Sequence, residues 1–189
     1  MKNMNWAFPL LLLLFSASVT WAQTAKPATA TRAVSQELND WIASSEKDLV
    51  GIAEDMPEDK YNFAPTNGEF RGVRNFGKQV KHAAAAIQLV SAGILGDPTP
   101  ADAADERGPD SAKTKAEIIK YLKDSYAYLR KGVATIDEKN AFEPLKNPFG
   151  PGLRSRISLV NAGLVHSANH YGQMVEYLRM NGIRPRGSN

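Results

Sequence analysis

Histidine is the residue type with which this chain is best equipped to do chemistry, because it has three histidines and no cysteine. His166 and His170 are four residues apart. At about 100° per residue a helix would point them within ~40° of each other, one turn apart, where two imidazoles can share a metal ion. On a helical wheel Ile157, Val160, Leu164, Tyr171 and Leu178 gather into one apolar stripe, and the pair falls on its flank beside Leu159, Gly163 and Tyr177. His82 is placed in the same way, beside Ala86 and Leu89 on the flank of a stripe formed by Phe76, Val80, Ala83, Ile87 and Ile94. If those two flanks meet, three imidazoles converge. Neutral imidazole suits zinc, nickel, copper or iron(II). Three protein ligands leave a coordination position for water or substrate, as in a catalytic site more than a structural one. From spacing alone, a second reading stands beside this one: three unrelated residues at helix–helix interfaces.

Other chemistries are weakly represented. Ser167 adjoins His166, but helix neighbours point about 100° apart, which disfavours a Ser–His dyad. Without cysteine there is no protein thiolate. The glycines at 68, 72, 77, 150 and 152 do not follow a strand and open a helix, as a phosphate-binding loop requires. Arg71, Arg74, Lys78 and Lys81 form a modest basic run that reads as a solvated helix face. No carboxylate lies beside the histidines on either wheel. Asn75, Gln79 and Tyr177 are therefore the candidates for lining a pocket or orienting a metal-bound water. Catalytic residues are not identifiable.

Four segments with helical periodicity must position these residues, and no stretch alternates convincingly with period two. The first runs from about Val34 to Asp55, with Leu38, Trp41, Ile42, Ser45, Leu49, Ile52 and Met56 on one face and Pro57 as its stop. The second runs from about Asn75 to Leu95 and ends at Gly96-Asp97-Pro98. The third opens with a Thr114–Glu117 capping box and carries Ile118, Tyr121, Leu122, Ser125, Leu129 and Ile136 on one face. The fourth runs from about Leu153 to Met180 and stops at Asn181-Gly182. The connections are long: Pro57–Arg74, an Ala/Asp/Pro-rich stretch from Asp97 to Asp110 expected to be mobile, and Asp137–Gly152, expected to be irregular. Loops of this length permit crossovers, so the architecture is all-α, with simple up-and-down order not assumed.

The start of the chain has a different character. Lys2, the apolar run Phe8–Val19 with Leu10–Leu14 at its centre, and Ala22 form a secretory signal peptide over residues 1–22, too short for the ~20 apolar residues of a membrane span. Cleavage there would leave 189 − 22 = 167 residues. Residues 23–33 read as a flexible lead-in, and 34–185 as the domain. With no cysteine there is no acylated anchor, so the expected location is periplasmic or secreted, without a stable membrane anchor. Hydrophobic residues at 43% and charged residues at 23% are ordinary for a globular domain, and a net charge of +3 makes no case for nucleic acid.

Four blocks carry a resemblance. Met56-Pro57-Glu58-Asp59-Lys60-Tyr61-Asn62-Phe63, Arg74 to His82, His166-Ser167-Ala168-Asn169-His170-Tyr171-Gly172-Gln173, and Tyr177 to Pro185 resemble the DinB-like family over the whole domain. The resemblance implies a four-helix bundle with a crossover connection. It also implies a divalent metal ion (zinc or nickel first, iron or manganese as alternatives) held by His82, His166 and His170. It further implies a homodimer and, in members with known activities, thiol transferases and isomerases that use low-molecular-weight thiols. This chain departs from those in its export signal, since their thiol cofactors are cytoplasmic. Two functions follow as expectations: a metal-dependent hydrolase or transferase acting on a small molecule, or a metal-binding or stress-response interaction protein without turnover.

Overall fold

The computed structural model describes residues 32–186; the signal-peptide segment 1–22 and nearly all of the lead-in lie outside the described residues. Among the described residues there are four α-helices: α1 (Val34–Asp55), α2 (Phe76–Leu95), α3 (Lys115–Val133) and α4 (Arg156–Met180). α1 and α2 each pack against both α3 and α4.

Local chemistry sets the helix ends. Met56 is extended (φ −70, ψ 123) ahead of Pro57, which disfavours the helical region for its predecessor. The Asn75 side chain accepts from the Lys78 amide and caps α2, which stops at Gly96 in the left-handed region (φ 73). Thr114 and Glu117 form both halves of the capping box that opens α3. Ser155 accepts from the Ser158 amide and caps α4, which starts three residues later than its N-terminal boundary in the periodicity. Leu153–Ser155 belongs instead to a strand, β2, paired antiparallel with β1 (Pro144–Lys146). The 137–152 connection, expected to be irregular, thus contains a short ladder, which runs too briefly to produce an alternating pattern.

Leu38, Ile42, Leu49, Phe76, Val80, Ile87, Leu122, Tyr126, Leu129, Leu159 and Met174 form one fully buried core. Each large apolar side chain withdrawn from water contributes roughly 1.5–3 kcal/mol. α2 is covered nearly all round: Ala83, Ala84, Ala85 and Ala86 are all buried. Its third side is closed by the Asp97–Asp110 segment, whose Ala103 packs with Ala85 and Leu89. Lys81 Nζ donates to the Pro109 carbonyl at 2.9 Å. That segment, expected to be mobile, is docked, because α2 has an apolar third face to bury. Trp41 also departs from expectation. It is 48% exposed at the edge of the α1 stripe, because burial extends the other way, to Val50 and Ala53. Ile136, placed on the α3 stripe, lies beyond the helix end but is buried. Among the described residues no helix is long and apolar enough to cross a membrane.

Candidate metal centre

α2 and α4 approach closely where Gly163 faces Val90: a Cβ on Gly163 would stand 3.2 Å from Val90 Cγ2. This approach brings His82 on α2 against His166 and His170 on α4. Ring centroids are 4.9 Å apart for His82–His166, 4.6 Å for His82–His170 and 4.4 Å for His166–His170. One ligand atom from each histidine lies within 4.8 Å of the others, with His82 and His170 buried and His166 half-buried. The Nε2 atoms of His82 and His166 are 3.2 Å apart. Two nitrogens each ~2.1 Å from one ion at a tetrahedral angle would stand about 3.4 Å apart, so this separation fits one shared cation.

The outer nitrogens are held by other groups. His82 Nδ1 lies 2.8 Å from the Glu106 carbonyl oxygen, which can only accept. Nδ1 therefore carries the proton, and the neutral ring keeps a bare Nε2 lone pair turned toward His166. The Glu106 carboxylate is 3.6 Å from the same Nδ1. His170 Nδ1 is 2.9 Å from the side-chain amide of Gln79, which is 2% exposed and also bonds Gln173. An amide serves either tautomer of that ring. Through nitrogen it donates to a bare Nδ1; through oxygen it accepts from Nδ1–H and leaves Nε2 bare. Phe149, on the connection framed by β1 and β2, lies nearly parallel to His166 (6.3 Å between centroids, 15° between planes).

This environment keeps the cluster neutral. Burial pushes the pKa of all three imidazoles below the ordinary histidine value. The lowering is greatest at His170, to about 3, where burial is reinforced by His166 and His82. The Arg74 cation opposes a further positive charge on each ring, while Glu106 works the other way at His82 and His166. Neutral imidazole is the form that binds a metal ion.

The three sequence-selected histidines are thus brought together. Of the pocket candidates, Gln79 reaches the cluster. Asn75 caps α2 and donates to Asn62, and Tyr177 donates to the Arg74 carbonyl at 3.0 Å while packing edge-on to Phe63. Ser167 is buried and lines a groove with Trp41, Ser45 and Leu49 of α1, turned away from the cluster as helix geometry requires. Sequence reasoning missed Glu106, Phe149 and Gln173. Gln173 was within reach of it: it lies three residues after His170, on the same helix face. Glu106 and Phe149 sit on connections that helical wheels do not cover. Glu106 is the one described non-glycine residue with positive φ (57).

Fold and site together define a helical protein with a three-histidine cluster, suited to a metal ion, between two of its long helices. The chain belongs to the DinB superfamily, whose family model matches residues 42–174. Two solved structures share the fold. One is a DinB-like protein from Bacillus cereus ATCC 10987 (TM-score 0.66, 14% identity, 83% of this chain and 98% of that one covered). The other is a conserved protein from Enterococcus faecalis (TM-score 0.59, 16% identity, 79% and 98% covered). No curated protein matches the chain.

Proposed function

We propose that this protein is an exported metal-dependent enzyme, a hydrolase or transferase, that holds one divalent cation through His82, His166 and His170. The observation that carries the reading is the convergence of three imidazoles kept neutral, with a lone pair of His82 turned inward. An all-nitrogen set favours zinc or nickel, with iron or manganese as alternatives, over magnesium or calcium. When bound, such an ion supplies Lewis acidity and an activated water. The chain's own contribution is orientation. The Glu106 carbonyl fixes the His82 tautomer, the Gln79–Gln173 pair holds His170, and Phe149 limits the swing of His166. One observation favours the second reading, a metal-binding protein without turnover. The Glu106 carboxylate faces the outer nitrogen of His82, where it orients a ligand and is not placed to take a proton from a metal-bound water.

The test is metal content by mass spectrometry after expression with zinc, nickel and iron supplied, for wild type and for His82→Ala, His166→Ala and His170→Ala. One equivalent in wild type and a large loss in each variant is expected. Wild type without metal, or His166→Ala with as much as wild type, would end the reading. Screening hydrolase and transferase substrates with loaded and stripped protein then separates enzyme from binder.

Three further parts belong to this proposal. Lys2, Leu10–Leu14 and Ala22 support export, and N-terminal sequencing of native protein should find Gln23 first. The contacts of α1 and α2 with both α3 and α4 support a four-helix bundle with a crossover connection. The family resemblance supports a homodimer, which light scattering at micromolar concentration should detect.

A further inference from the structure

The basic run Arg71, Arg74, Lys78 and Lys81 reads as a solvated helix face from sequence. Three of these residues instead line a cavity of about 490 Å³, within the range of small-molecule sites. Arg107, from the docked 97–110 connection, closes it from the other side, and Asp110 is the one acid in its lining. Its remaining polar wall is Gln79 and Gln173, the pair that bonds His170. The cavity therefore adjoins the histidine cluster, and the Arg74 charge is felt at all three imidazoles.

The cations there are not all neutralised. Arg107 pairs with Asp105 and the Lys81 ammonium is held by the Pro109 carbonyl. Among the described residues neither Arg74 nor Lys78 has a carboxylate partner. Two unpaired cations in a cavity, with two more on its walls, concentrate anions and offer them charge-assisted hydrogen bonds. The side-chain amides of buried Gln79 and half-buried Gln173 beside them can receive the polar remainder of a ligand.

We infer that the small molecule presented to the three-histidine site carries an oxyanion, a carboxylate or phosphate, which Arg74 and Lys78 hold while Gln79 and Gln173 guide the rest toward His170. This rests on the metal-site reading above and adds the substrate class to it. A neutral substrate would gain nothing from the arrangement, and a cationic one would be repelled.

The experiment is calorimetric titration of inorganic phosphate, succinate and its neutral analogue succinamide into zinc-loaded and metal-stripped protein. Zinc content is measured on the same samples. Phosphate or succinate should bind in the millimolar range or tighter and weaken as ionic strength rises, while succinamide binds much more weakly. Arg74→Gln and Lys78→Gln should each weaken succinate binding roughly tenfold, the loss of one charge-assisted contact. Both residues are exposed, so the variants should keep wild-type helicity and zinc content. Equal binding of succinate and succinamide, no binding of either anion at millimolar concentration, or unchanged succinate binding in the Arg74→Gln, Lys78→Gln double variant would overturn the inference. Protein that takes up no zinc yet discriminates succinate from succinamide would instead overturn the metal-site reading and leave the anion cavity standing.

Discussion

Acid should destabilise the metal-free protein through the histidine cluster, and the size of the effect follows from His170. Its pKa is about 3 in the folded chain, against an ordinary value of 6.5. Between those two values the unfolded chain binds a proton that the folded chain refuses. Stability therefore rises with pH across this window and falls as pH drops through it. Above pH 6.5 both states are neutral and the effect vanishes. Each pH unit inside the window is worth about 1.4 kcal/mol for one group, so lowering pH from 6.5 to 5 removes about 2 kcal/mol through His170 alone. His82 and His166 are displaced in the same direction and add to the loss. A loss of that size is a large fraction of the 5–15 kcal/mol typical of a domain. The assay is urea denaturation followed by helicity, in chelator, at several pH values from 7.5 to 4.5. His170→Gln removes the proton-binding site while keeping a polar side chain beside Gln79, and should flatten the slope. A wild-type stability unchanged between pH 6.5 and 5, or a His170→Gln variant with the wild-type slope, would refute the claim that the cluster is held neutral by burial.

Saturating zinc should raise the unfolding free energy at pH 7.5 by about 2.7 kcal/mol at a hundredfold excess over Kd, read as a higher urea midpoint, and should leave a His82→Ala variant unmoved. Because the rings resist protons, zinc occupancy should persist below pH 6.5, where free imidazole would release it; mass spectrometry after equilibration across pH checks this. Gly108→Ala should lower both stability and zinc affinity. Gly108 has φ +72, and an added Cβ would stand 3.0 Å from Lys81 Cβ and 3.1 Å from Tyr121 Cε1, so the connection bearing Glu106 must lift from His82. The strained backbone alone costs on the order of 1–3 kcal/mol, measurable as a urea midpoint shift. Thr114→Ala should cost about 1 kcal/mol of stability without changing zinc content, because it removes the α3 cap and none of the groups that hold the three histidines.

The fold and the histidine cluster were legible for one reason: both are properties of helices. A residue's direction on a helix is fixed by its number, so the flanks bearing His82, His166 and His170 could be assigned from spacing, and the caps at Thr114 and Gly96 from residue type. What spacing cannot supply is which flank meets which. Here that is settled by Gly163 against Val90, a contact between residues 73 positions apart. Connections carry no period, so the residues that finish the site from outside the helices were invisible. Glu106 reaches His82 through a backbone carbonyl, a group every residue possesses, and only its left-handed φ marks the position as unusual.

The basic residues show the same limit from the other side. Lys78 and Lys81 differ by three positions and share a helix face, which from sequence means a face wetted by solvent. That face becomes a cavity wall only because the 97–110 connection folds back over α2 and brings Arg107 opposite. It folds back because Ala85 and Leu89 leave α2 with apolar surface that neither α3 nor α4 covers, and Ala103 fills that gap. The same contact therefore does two jobs. It buries the third side of α2, and it sets Glu106 behind His82 and Arg107 across from Lys78. Replacing Ala103, which is fully buried, with Asp would place an unpaired charge in that contact and should lift the connection as a unit. Zinc affinity and succinate binding should then fall together, although neither ligand touches residue 103. A variant that lost one and kept the other would show that the two sites are supported independently.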